Sequence, residues 1–332
     1  MDITSNASPK KDTRVIFMGT PAFALPSLER LLEAGYQVVG VFTAPDSPAG
    51  RGREPSASPV KKFALSRGLK VYQPPSLRRG GASEAIAGLN PDLIVLAAYG
   101  ILLPKSILDL PSNGALNVHP SLLPKYRGAT PITWPILQGD TQTGVTIFLM
   151  DVGMDSGPIL SQKSVPLHGG ETTGSLTGLL AEVGANLLLE AVPKWLDGEI
   201  VATPQDDAKA SVTRLLKKED GLIDWRSSAV EIERCIRAYT PWPGTFTTWR
   251  GRILKVLSSS VRSQETGCEA GTVVRIEGHG NAPVIAVQTG NEVLALGRVQ
   301  LEGRKAMDAL EFVRGQRGFV GSVLGYKIRE GH

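Results

Sequence analysis

"RVIFMGTPAFALPSLERLLEAGYQVVGVFT", residues 14–43, holds two short apolar segments with an amphipathic segment between them. Each apolar segment has the length and the Val, Ile and Phe content of a strand, whereas the middle segment has the spacing of a helix. A strand followed by a helix and a second strand is typical of a parallel sheet, because parallel neighbours need a long crossover. The stretch therefore predicts an α/β fold.

The same alternation continues along the chain. Four further runs have the length of strands: "LKVYQ" (69–73), "DLIVLAAYG" (92–100), "ALNVH" (115–119) and "GVTIFLMD" (144–151). Most are apolar throughout, as expected of strands that are covered on both faces. "GPILSQKSVPL" (157–167) predicts an antiparallel edge strand, and an apolar stripe between Thr172 and Leu196 predicts one long closing helix. We expect a Rossmann-like, doubly wound, mostly parallel sheet.

The composition changes at residues 198–213, "GEIVATPQDDAKASVT", where small and polar residues are typical of a linker. Beyond it, short β-like runs are separated by glycines, as in "GTVVRIEGHGNAPVIAVQTGNEVLALGRVQLEG" (271–303). This pattern favours a small barrel or sandwich, and its length favours a five-stranded OB-like β-barrel. Because single cores seldom exceed ~250 residues, we predict one domain over 1–205 and a smaller OB-like domain over 206–332.

Charge is distributed unevenly between these two parts. The 332 residues carry a net charge of +4, with 36 Lys and Arg against 32 Asp and Glu. Residues 1–208 hold 17 of the basic and 19 of the acidic residues, a net of −2, so residues 209–332 hold 19 and 13, a net of +6. A basic C-terminal part favours a polyanionic partner, although a solvated basic face would have the same composition.

Several classes of protein are disfavoured. Hydrophobic residues make up 42% and charged residues 20%, which is the composition of a globular protein rather than a disordered one. Cys235 and Cys268 show no paired spacing, which suits a reducing compartment. The polar first residues, and the lack of an apolar run of the ~20 residues that a membrane span needs, favour a soluble cytoplasmic protein. Nothing in the sequence demands a dimer, so we expect a monomer.

Two kinds of cofactor site are disfavoured as well. The first strand is followed by "MGTPAF" without G-x-G-x-x-G, and "AGRGR" (49–53) lacks the lysine of a P-loop. His168, His279 and His332 are scattered, and no clustered metal-ligand spacing occurs. We therefore expect no metal.

Polar side chains follow two of the predicted strands. Asn117 and His119 end "ALNVH", where strand alternation places them on one face, and Asp151 and Asp155 follow "GVTIFLM". In open α/β sheets, ligands bind at the carboxyl ends of the strands. If the two strands are neighbours, an amide, an imidazole and a carboxylate meet at one mouth, although spacing leaves open which acid takes part.

This set of side chains suits transfer of an acyl-type group. An amide can donate hydrogen bonds to an oxyanion, an imidazole can move a proton near neutral pH, and a carboxylate can orient the imidazole. Ser121 lacks the G-x-S-x-G context of a nucleophile, which favours direct transfer over a covalent intermediate. The alternative is that His119 is a structural residue with satisfied hydrogen bonds.

Residues 43–61, "TAPDSPAGRGREPSASPVK", exceed the usual βα connection of about two to six residues. Arg51 and Arg53 lie in this segment among glycines and prolines, so it is either a basic flap that orders on an anionic partner or a mobile surface loop. Trp225, Trp242 and Trp249 could stack on bases, but aromatic residues more often pack in a core or an interface.

Longer motifs are similar to those of a known family. "VIFMGTPAFALPSLERLL" (15–32), "LNVHPSLLPKYRGATPI" (116–132), "TGVTIFLMDVGMDSGPIL" (143–160) and "RCIRAYTPWPGTF" (234–246) resemble the folate-dependent formyltransferases. The likeness is dense over residues 14–250 and looser beyond them. N-x-H-P-S-L-L-P-x-x-R-G combined with M-D-x-G-x-D-x-G is a specific signature.

The resemblance implies transfer of the formyl group of 10-formyltetrahydrofolate to the free α-amino group of methionine on initiator tRNA, for translation initiation. It implies direct attack through a tetrahedral intermediate, and an OB-like domain that binds tRNA. The site residues that it implies are catalytic Asn117, His119 and Asp155, folate-binding Ser121, Leu122, Leu123 and Pro124, and tRNA-binding Arg51 and Arg53. Whether His119 acts as a base or as an oxyanion donor stays open.

Two other functions stay open at this stage. A sibling enzyme would formylate the amine of a sugar nucleotide or of glycinamide ribonucleotide with the same centre. A non-catalytic protein would use the sheet as a scaffold and bind nucleic acid. The basic second part and the arginine loop favour tRNA over a small substrate, and the complete Asn, His and Asp set favours an enzyme.

Overall fold

The structure is a computed structural model that describes residues 12–49, 54–79, 81–278, 280 and 282–325. The chain forms two compact units. One comprises Met1–Pro131, Gln142–Pro166 and Thr177–Arg214, and the other comprises Ile132–Thr141, Leu167–Leu176 and Leu215–His332. The bounds 1–205 and 206–332 stay a prediction for how the chain divides into domains.

Strands and helices are numbered in chain order over the described residues. The strands of the first unit are β1 (Arg14–Gly19), β2 (Gln37–Phe42), β3 (Ser47–Ala49), β4 (Glu54–Ser56), β5 (Val71–Tyr72), β6 (Leu93–Ala97), β7 (Ala115–His119), β8 (Arg127–Gly128), β9 (Gln142–Leu149), β10 (Ile159–Pro166) and β11 (Val212–Thr213). The strands of the second unit are β12 (Thr245–Trp249), β13 (Arg252–Val256), β14 (Ser259–Arg262), β15 (Val273–Glu277), β16 (Pro283–Gln288), β17 (Val293–Leu296), β18 (Arg298–Leu301) and β19 (Met307–Asp308). The helices are α1 (Leu25–Glu33), α2 (Pro59–Ser66), α3 (Ala82–Gly88), α4 (Lys105–Leu108), α5 (Thr133–Gln138), α6 (Thr173–Leu196), α7 (Ala229–Ala238) and α8 (Ala309–Gly315).

A seven-stranded sheet organises the first unit, in the order β10-β9-β7-β6-β1-β2-β5. β7, β6, β1, β2 and β5 are parallel neighbours, whereas β9 pairs antiparallel with β7 and β10 pairs antiparallel with β9. The chain moves outward from β1 to β2 and β5, then returns to β6 on the other side of β1 and continues to β7. This reversal makes the sheet doubly wound. The predicted α/β class with a mostly parallel sheet is therefore confirmed.

The central strands are buried on both faces. All residues of β6, and all of β1 after Arg14, are inaccessible to solvent or nearly so. Because successive side chains of a strand point to opposite faces, such a strand must be apolar at every position. This burial explains the continuous apolar runs in the sequence.

Helix α6 is a core helix of the first unit. By length and composition it is apolar enough to cross a membrane, alone among the helices of the described residues, but half of its most apolar window is buried within the protein. Leu180, Leu188 and Val192 lie on its buried face. Gly184 lies on the same face and packs against Val118 of β7. The apolar stripe of this helix therefore serves packing on the sheet.

The second unit contains two antiparallel four-stranded sheets, in the orders β12-β13-β18-β19 and β14-β17-β16-β15. One buried cluster serves both sheets, since it includes Leu254 of β13 and Leu294 of β17. Trp225 and Trp249 belong to this cluster, whereas Trp242 is 55% exposed. The predicted C-terminal β domain is confirmed as antiparallel, with eight described strands where five were expected.

Residues 198–213, predicted as a linker, are built into the first unit. β11 pairs in parallel with β8. Upstream, the backbone of Thr203 exchanges hydrogen bonds of 2.7 and 2.9 Å with Ile159 of β10. Short pairings of this kind rest on main-chain groups and need no apolar pattern, so composition could not distinguish them from a loop.

Two glycines of α6 give a direct test of its packing. A Cβ added to Gly184 would lie 2.7 Å from Cγ1 of Val118 and 3.2 Å from Cγ1 of Val145, whereas no described atom lies within 4 Å of a Cβ added to Gly178. A change to Ala gains about 1 kcal/mol of helix propensity at both positions, but overpacking costs about 1–3 kcal/mol.

We expect Gly178→Ala, the control, to raise the free energy of unfolding. The free energy of unfolding of Gly184→Ala should be about 1–3 kcal/mol lower than that of the control. Denaturant unfolding of the two variants measures the difference. Equal stabilities would show that α6 does not pack tightly at residue 184.

Candidate active site

Strand β7 places Asn117 and His119 on one face of the sheet, two residues apart. β7 pairs with β6 on one side and with β9 on the other, where His119 is opposite Thr146 and Asn117 is opposite Phe148. His119 is buried, and the Phe148 ring packs edge-on to the imidazole with 6.3 Å between ring centroids.

Asp155 reaches His119 by a route that the sequence did not predict. β9 is a neighbour of β7 but antiparallel to it, so the carboxyl ends of the two strands lie at opposite edges of the sheet. The expected meeting of two carboxyl ends is therefore wrong. The loop 150–158 between β9 and β10 instead brings Oδ2 of Asp155 to 3.6 Å from Nδ1 of His119.

The structure separates the two acidic candidates. Asp151 accepts hydrogen bonds from the Gly153 amide at 2.9 Å and from the Ser156 hydroxyl at 2.9 Å, so its carboxylate organises the loop from within. Asp155 faces the imidazole. The resemblance selected the same acid, and the contacts supply the physical reason.

The glycines of M-D-x-G-x-D-x-G allow the loop to close. A Cβ on Gly157 would overlap the main-chain carbonyl of Leu149, and a Cβ on Gly153 would overlap the Ser156 hydroxyl. Asp155 between them has a φ of +51°, a left-handed conformation that a non-glycine residue adopts only when its surroundings enforce it. The motif thus encodes a tight loop that presents the Asp155 carboxylate from a strained backbone position.

The hydrogen bonds of His119 define its tautomer. Nε2 lies 3.1 Å from the main-chain carbonyl oxygen of Tyr126. A carbonyl oxygen only accepts, so Nε2 carries a hydrogen, and in the neutral ring the lone pair is on Nδ1, facing Asp155. Burial lowers the pKa of His119 below its ordinary value, and it outweighs the opposing effects of the Asp155 carboxylate and of the Tyr126 carbonyl. The resting imidazole is therefore neutral at pH 7.

The segment 126–128 contacts both members of this pair. The Tyr126 carbonyl accepts from His119, and the Gly128 amide donates to Oδ2 of Asp155 at 2.7 Å, the oxygen nearest the imidazole. Tyr126 has a φ of +62°. A second strained residue therefore lies at the pair, and one turn fixes the imidazole and the carboxylate together.

Asn117 is half-buried on the same strand face. Within the part of the chain that the structure describes, no hydrogen bond to its side-chain amide is found. An amide carries two N–H donors. Asn117 therefore has donor capacity that the fold does not use.

The predicted folate segment is a rigid turn next to His119. Ser121 is fully buried and donates to the Lys125 carbonyl at 2.7 Å, so its hydroxyl is committed to the protein. The Leu123 amide donates to Oγ1 of Thr146, and the Leu123 side chain is buried. Leu122 and Pro124 are half-buried. Surface for a ligand thus comes from these two residues, and folate contact stays a proposal.

The remaining predictions concern the tRNA-binding arginines and the absence of a metal. Arg51 and Arg53, predicted to bind tRNA, lie outside the described residues. Over the described ranges, no group of three or more His, Cys, Asp or Glu side chains could hold a metal ion. Cys235 and Cys268 are free, and burial raises the pKa of the Cys235 thiol to about 11.

Sequence reasoning missed the residues that hold the pair in place. The Tyr126 carbonyl and the Gly128 amide are main-chain groups, which carry no side-chain signal. Arg127 between them is 9% exposed and pairs with Gln205, which lies in the stretch read as a linker. The one available signal was that Arg127 and Gly128 end the motif N-x-H-P-S-L-L-P-x-x-R-G.

Two family descriptions match the chain. "Formyl transferase" matches residues 13–192, more than half of the sequence, and "Formyl transferase, C-terminal domain" matches residues 215–317. The first match ends at residue 192, within α6, and the second begins at residue 215.

Relatives are similar over nearly their whole length. The methionyl-tRNA formyltransferase of Chloroflexus aggregans is 47% identical over 302 residues, which covers 91% of this chain and 97% of the relative. The methionyl-tRNA formyltransferase of a Roseiflexus species is 48% identical over 314 residues, which covers 94% of this chain and 95% of the relative.

Solved structures share the fold at low identity. An N-formyltransferase from Helicobacter canadensis, in complex with folinic acid and dTDP-3-aminofucose, has a TM-score of 0.63 and 18% identity, covering 86% of this chain and 99% of that one. HypX from Aquifex aeolicus has a TM-score of 0.59 and 16% identity, covering 94% of this chain and 50% of that one.

The buried imidazole gives the stability a pH dependence of known sign. The ordinary pKa of this side chain is 6.5, and the pKa in the folded chain is lower. As the pH falls, the unfolded chain therefore binds this proton first. The stability that neutral His119 contributes is intact above about pH 6.5 and is lost as the pH falls from there toward the folded-state pKa.

We expect the melting temperature to fall as the pH is lowered from about 7.5 to about 5, and to fall less in His119→Gln than in the wild type. His168→Gln is the control, because His168 is exposed. An equal slope in His119→Gln and wild type would contradict the assignment of a neutral, buried imidazole.

Proposed function

The chain belongs to the formyl transferase family, and we propose that it transfers the formyl group of 10-formyltetrahydrofolate to the α-amino group of methionyl initiator tRNA. The relatives named methionyl-tRNA formyltransferase, at 47–48% identity over almost the whole chain, support this choice of acceptor. The observation that carries the chemistry is the buried, neutral His119 beside Asp155, with the uncommitted amide of Asn117 on the same strand.

In this proposal His119 is the base. The α-amino group of a peptide has a pKa of ~7.7–8.0, and the amine of an aminoacyl ester is at least as acidic, so a large fraction is neutral near pH 7.5 and can attack the formyl carbon. The new C–N bond leaves one surplus proton on the nitrogen, and Nδ1 of His119 holds the lone pair that accepts it. The imidazolium formed next to Asp155 is stabilised by that carboxylate at 3.6 Å.

Asn117 stabilises the charge that develops on the formyl oxygen. Attack produces a tetrahedral carbon with an oxyanion, and the side-chain amide of Asn117 supplies donors that no other described residue engages. The bond from the formyl carbon to the folate nitrogen then breaks, and the proton held by His119 passes to that nitrogen. Atoms and charge balance without a covalent enzyme intermediate.

The C-terminal part of the chain, residues 209–332, is proposed to bind the tRNA. Residues 209–332 carry the net charge of +6 that a polyanion attracts, and Arg51 and Arg53 add two basic residues in the sequence segment 43–61. A small acceptor such as a sugar nucleotide needs no basic module of this size. The charge distribution therefore favours tRNA over the sibling acceptors.

A direct assay tests the function. The protein is incubated with labelled 10-formyltetrahydrofolate and methionyl initiator tRNA, and the tRNA is analysed for formyl-methionine. N-acetyl-methionyl-tRNA is the control, because its amine is blocked. Formylation of a dTDP-amino sugar without formylation of the tRNA would replace the proposed acceptor, and formylation of neither would remove the proposed activity.

Removal of the amide tests the role of Asn117. Loss of one oxyanion donor typically lowers kcat by ~10²- to 10³-fold, so we expect that loss in Asn117→Ala, with KM changed less than kcat. Steady-state kinetics with both substrates measure it. Asn113→Ala is the control, since Asn113 lies before β7 and donates to the main chain of Asp92. A near-normal kcat in Asn117→Ala would exclude the oxyanion role.

A further inference from the structure

Gln205 connects the end of the first unit to the loop that carries Asp155. Its Nε2 donates to the main-chain carbonyl of Asp155 at 2.8 Å and to that of Gly157 at 2.7 Å. These two carbonyls lie on either side of Ser156, within the tightest part of the loop. One side-chain amide thus holds the backbone at the strained residue and two positions after it.

Arg127 fixes which way this amide points. Nε and Nη2 of Arg127 donate to Oε1 of Gln205 at 3.0 and 2.8 Å, and Nη2 also donates to Asp207 at 2.7 Å. A guanidinium only donates, so the oxygen of Gln205 must face it and the NH₂ must face the loop. The Arg127 side chain is 11% exposed, which leaves it little freedom to release the amide.

The loop needs such a restraint because of its conformation. A non-glycine residue at a φ of +51° persists only where the surrounding structure over-determines it. The Gly128 amide holds the carboxylate of Asp155, and Gln205 holds its main chain. Residues 127 and 128 therefore control the two ends of the same acidic residue.

We propose that Gln205, oriented by Arg127, is a positioning residue that sets the distance between the Asp155 carboxylate and the His119 imidazole. The effect of Gln205 on activity rests on the proposed function, whereas its effect on the distance between Asp155 and His119 does not. The segment that follows Gln205 supports the arrangement, because the Ser211 carbonyl accepts from the Arg127 amide at 2.8 Å and the Thr213 hydroxyl donates to the Arg127 carbonyl at 3.0 Å. Residues 205–213 hold Arg127 in place while Arg127 holds Gln205.

The test uses two neutral variants of the full chain, Gln205→Ala and Gln205→Leu, the second of which keeps most of the side-chain volume. Without the amide donors, the Asp155 loop loses the two hydrogen bonds from Gln205 to the carbonyls of Asp155 and Gly157, and the carboxylate moves relative to His119. A misplacement of ~1 Å can cost ~10²-fold in rate, so we expect kcat to fall by about 10- to 100-fold. KM for the folate and for the tRNA should stay within about threefold, because neither substrate contacts Gln205 in this proposal.

A matched control uses the same changes elsewhere. Gln142 is exposed at the start of β9, and its side chain accepts from Ser164 rather than contacting the Asp155 loop. Gln142→Ala and Gln142→Leu should keep wild-type kcat. Melting temperatures of all variants identify any that fail to fold, and the conclusion is drawn from those that do.

The imidazole of His119 reports the distance without any reaction. Asp155 is the ionised group that raises its pKa against burial, and it is the charged side chain found beside His119 among the described residues. NMR titration of labelled histidine should therefore show the His119 pKa moving down in Gln205→Ala, in the same direction as in Asp155→Asn. An unchanged His119 titration in both folded Gln205 variants would overturn the proposal.

A double-mutant cycle separates positioning from general damage. If Gln205 acts through Asp155, then Gln205→Ala should lower kcat no further in the Asp155→Asn background. A loss that adds in full to that of Asp155→Asn would overturn the proposal. If the wild type formylates no methionyl-tRNA, the proposed function fails, and the NMR titration alone still decides whether Gln205 positions Asp155.

Discussion

A main-chain carbonyl accepts hydrogen bonds and never donates them, and this constraint at Tyr126 determines the chemistry of the site. Because Nε2 of His119 faces that carbonyl, the ring proton is on Nε2 and the basic lone pair is on Nδ1. Burial keeps the ring neutral, while Asp155 stands at the side where a positive charge would appear after proton uptake. The neutral His119 ring therefore interacts weakly with the Asp155 carboxylate, and the imidazolium formed by proton uptake interacts with it strongly because the two charges are opposite.

Much of the first unit could be predicted from its apolar runs, because a doubly covered parallel strand must be apolar at every position. The direction of β9 could not, since an apolar run such as "GVTIFL" reads the same for parallel and antiparallel pairing. Residues 198–213 were predicted as a linker for a related reason. Their role rests on hydrogen bonds from Gln205 and from the main chain of β11, and neither leaves a periodic pattern in the sequence.

In the candidate site, too, some features could be predicted from the sequence and others could not. Asn117, His119 and the two acids Asp151 and Asp155 carry chemistry in their side chains, so residue type and spacing pointed to them, and the resemblance selected Asp155. The motif glycines were visible as letters, but their purpose appeared only when Gly157 was seen against the Leu149 carbonyl. The second unit was predicted at the level of its β content, whereas the split of its strands into two sheets around one core depends on long-range pairing.

The pairing of β8 with β11 also bears on when the site forms during synthesis. Asn117, His119 and Asp155 are all complete by the time residue 155 has been added, yet the turn at 126–128 pairs with residues 212 and 213. Contacts over such a sequence separation close late, because the intervening chain must first be made and ordered. A nascent chain that ends with α6 would hold every proposed catalytic side chain without the strand that braces their turn. The turn that holds the site is therefore braced only after residues 212 and 213 have been made, near the end of the first unit's synthesis.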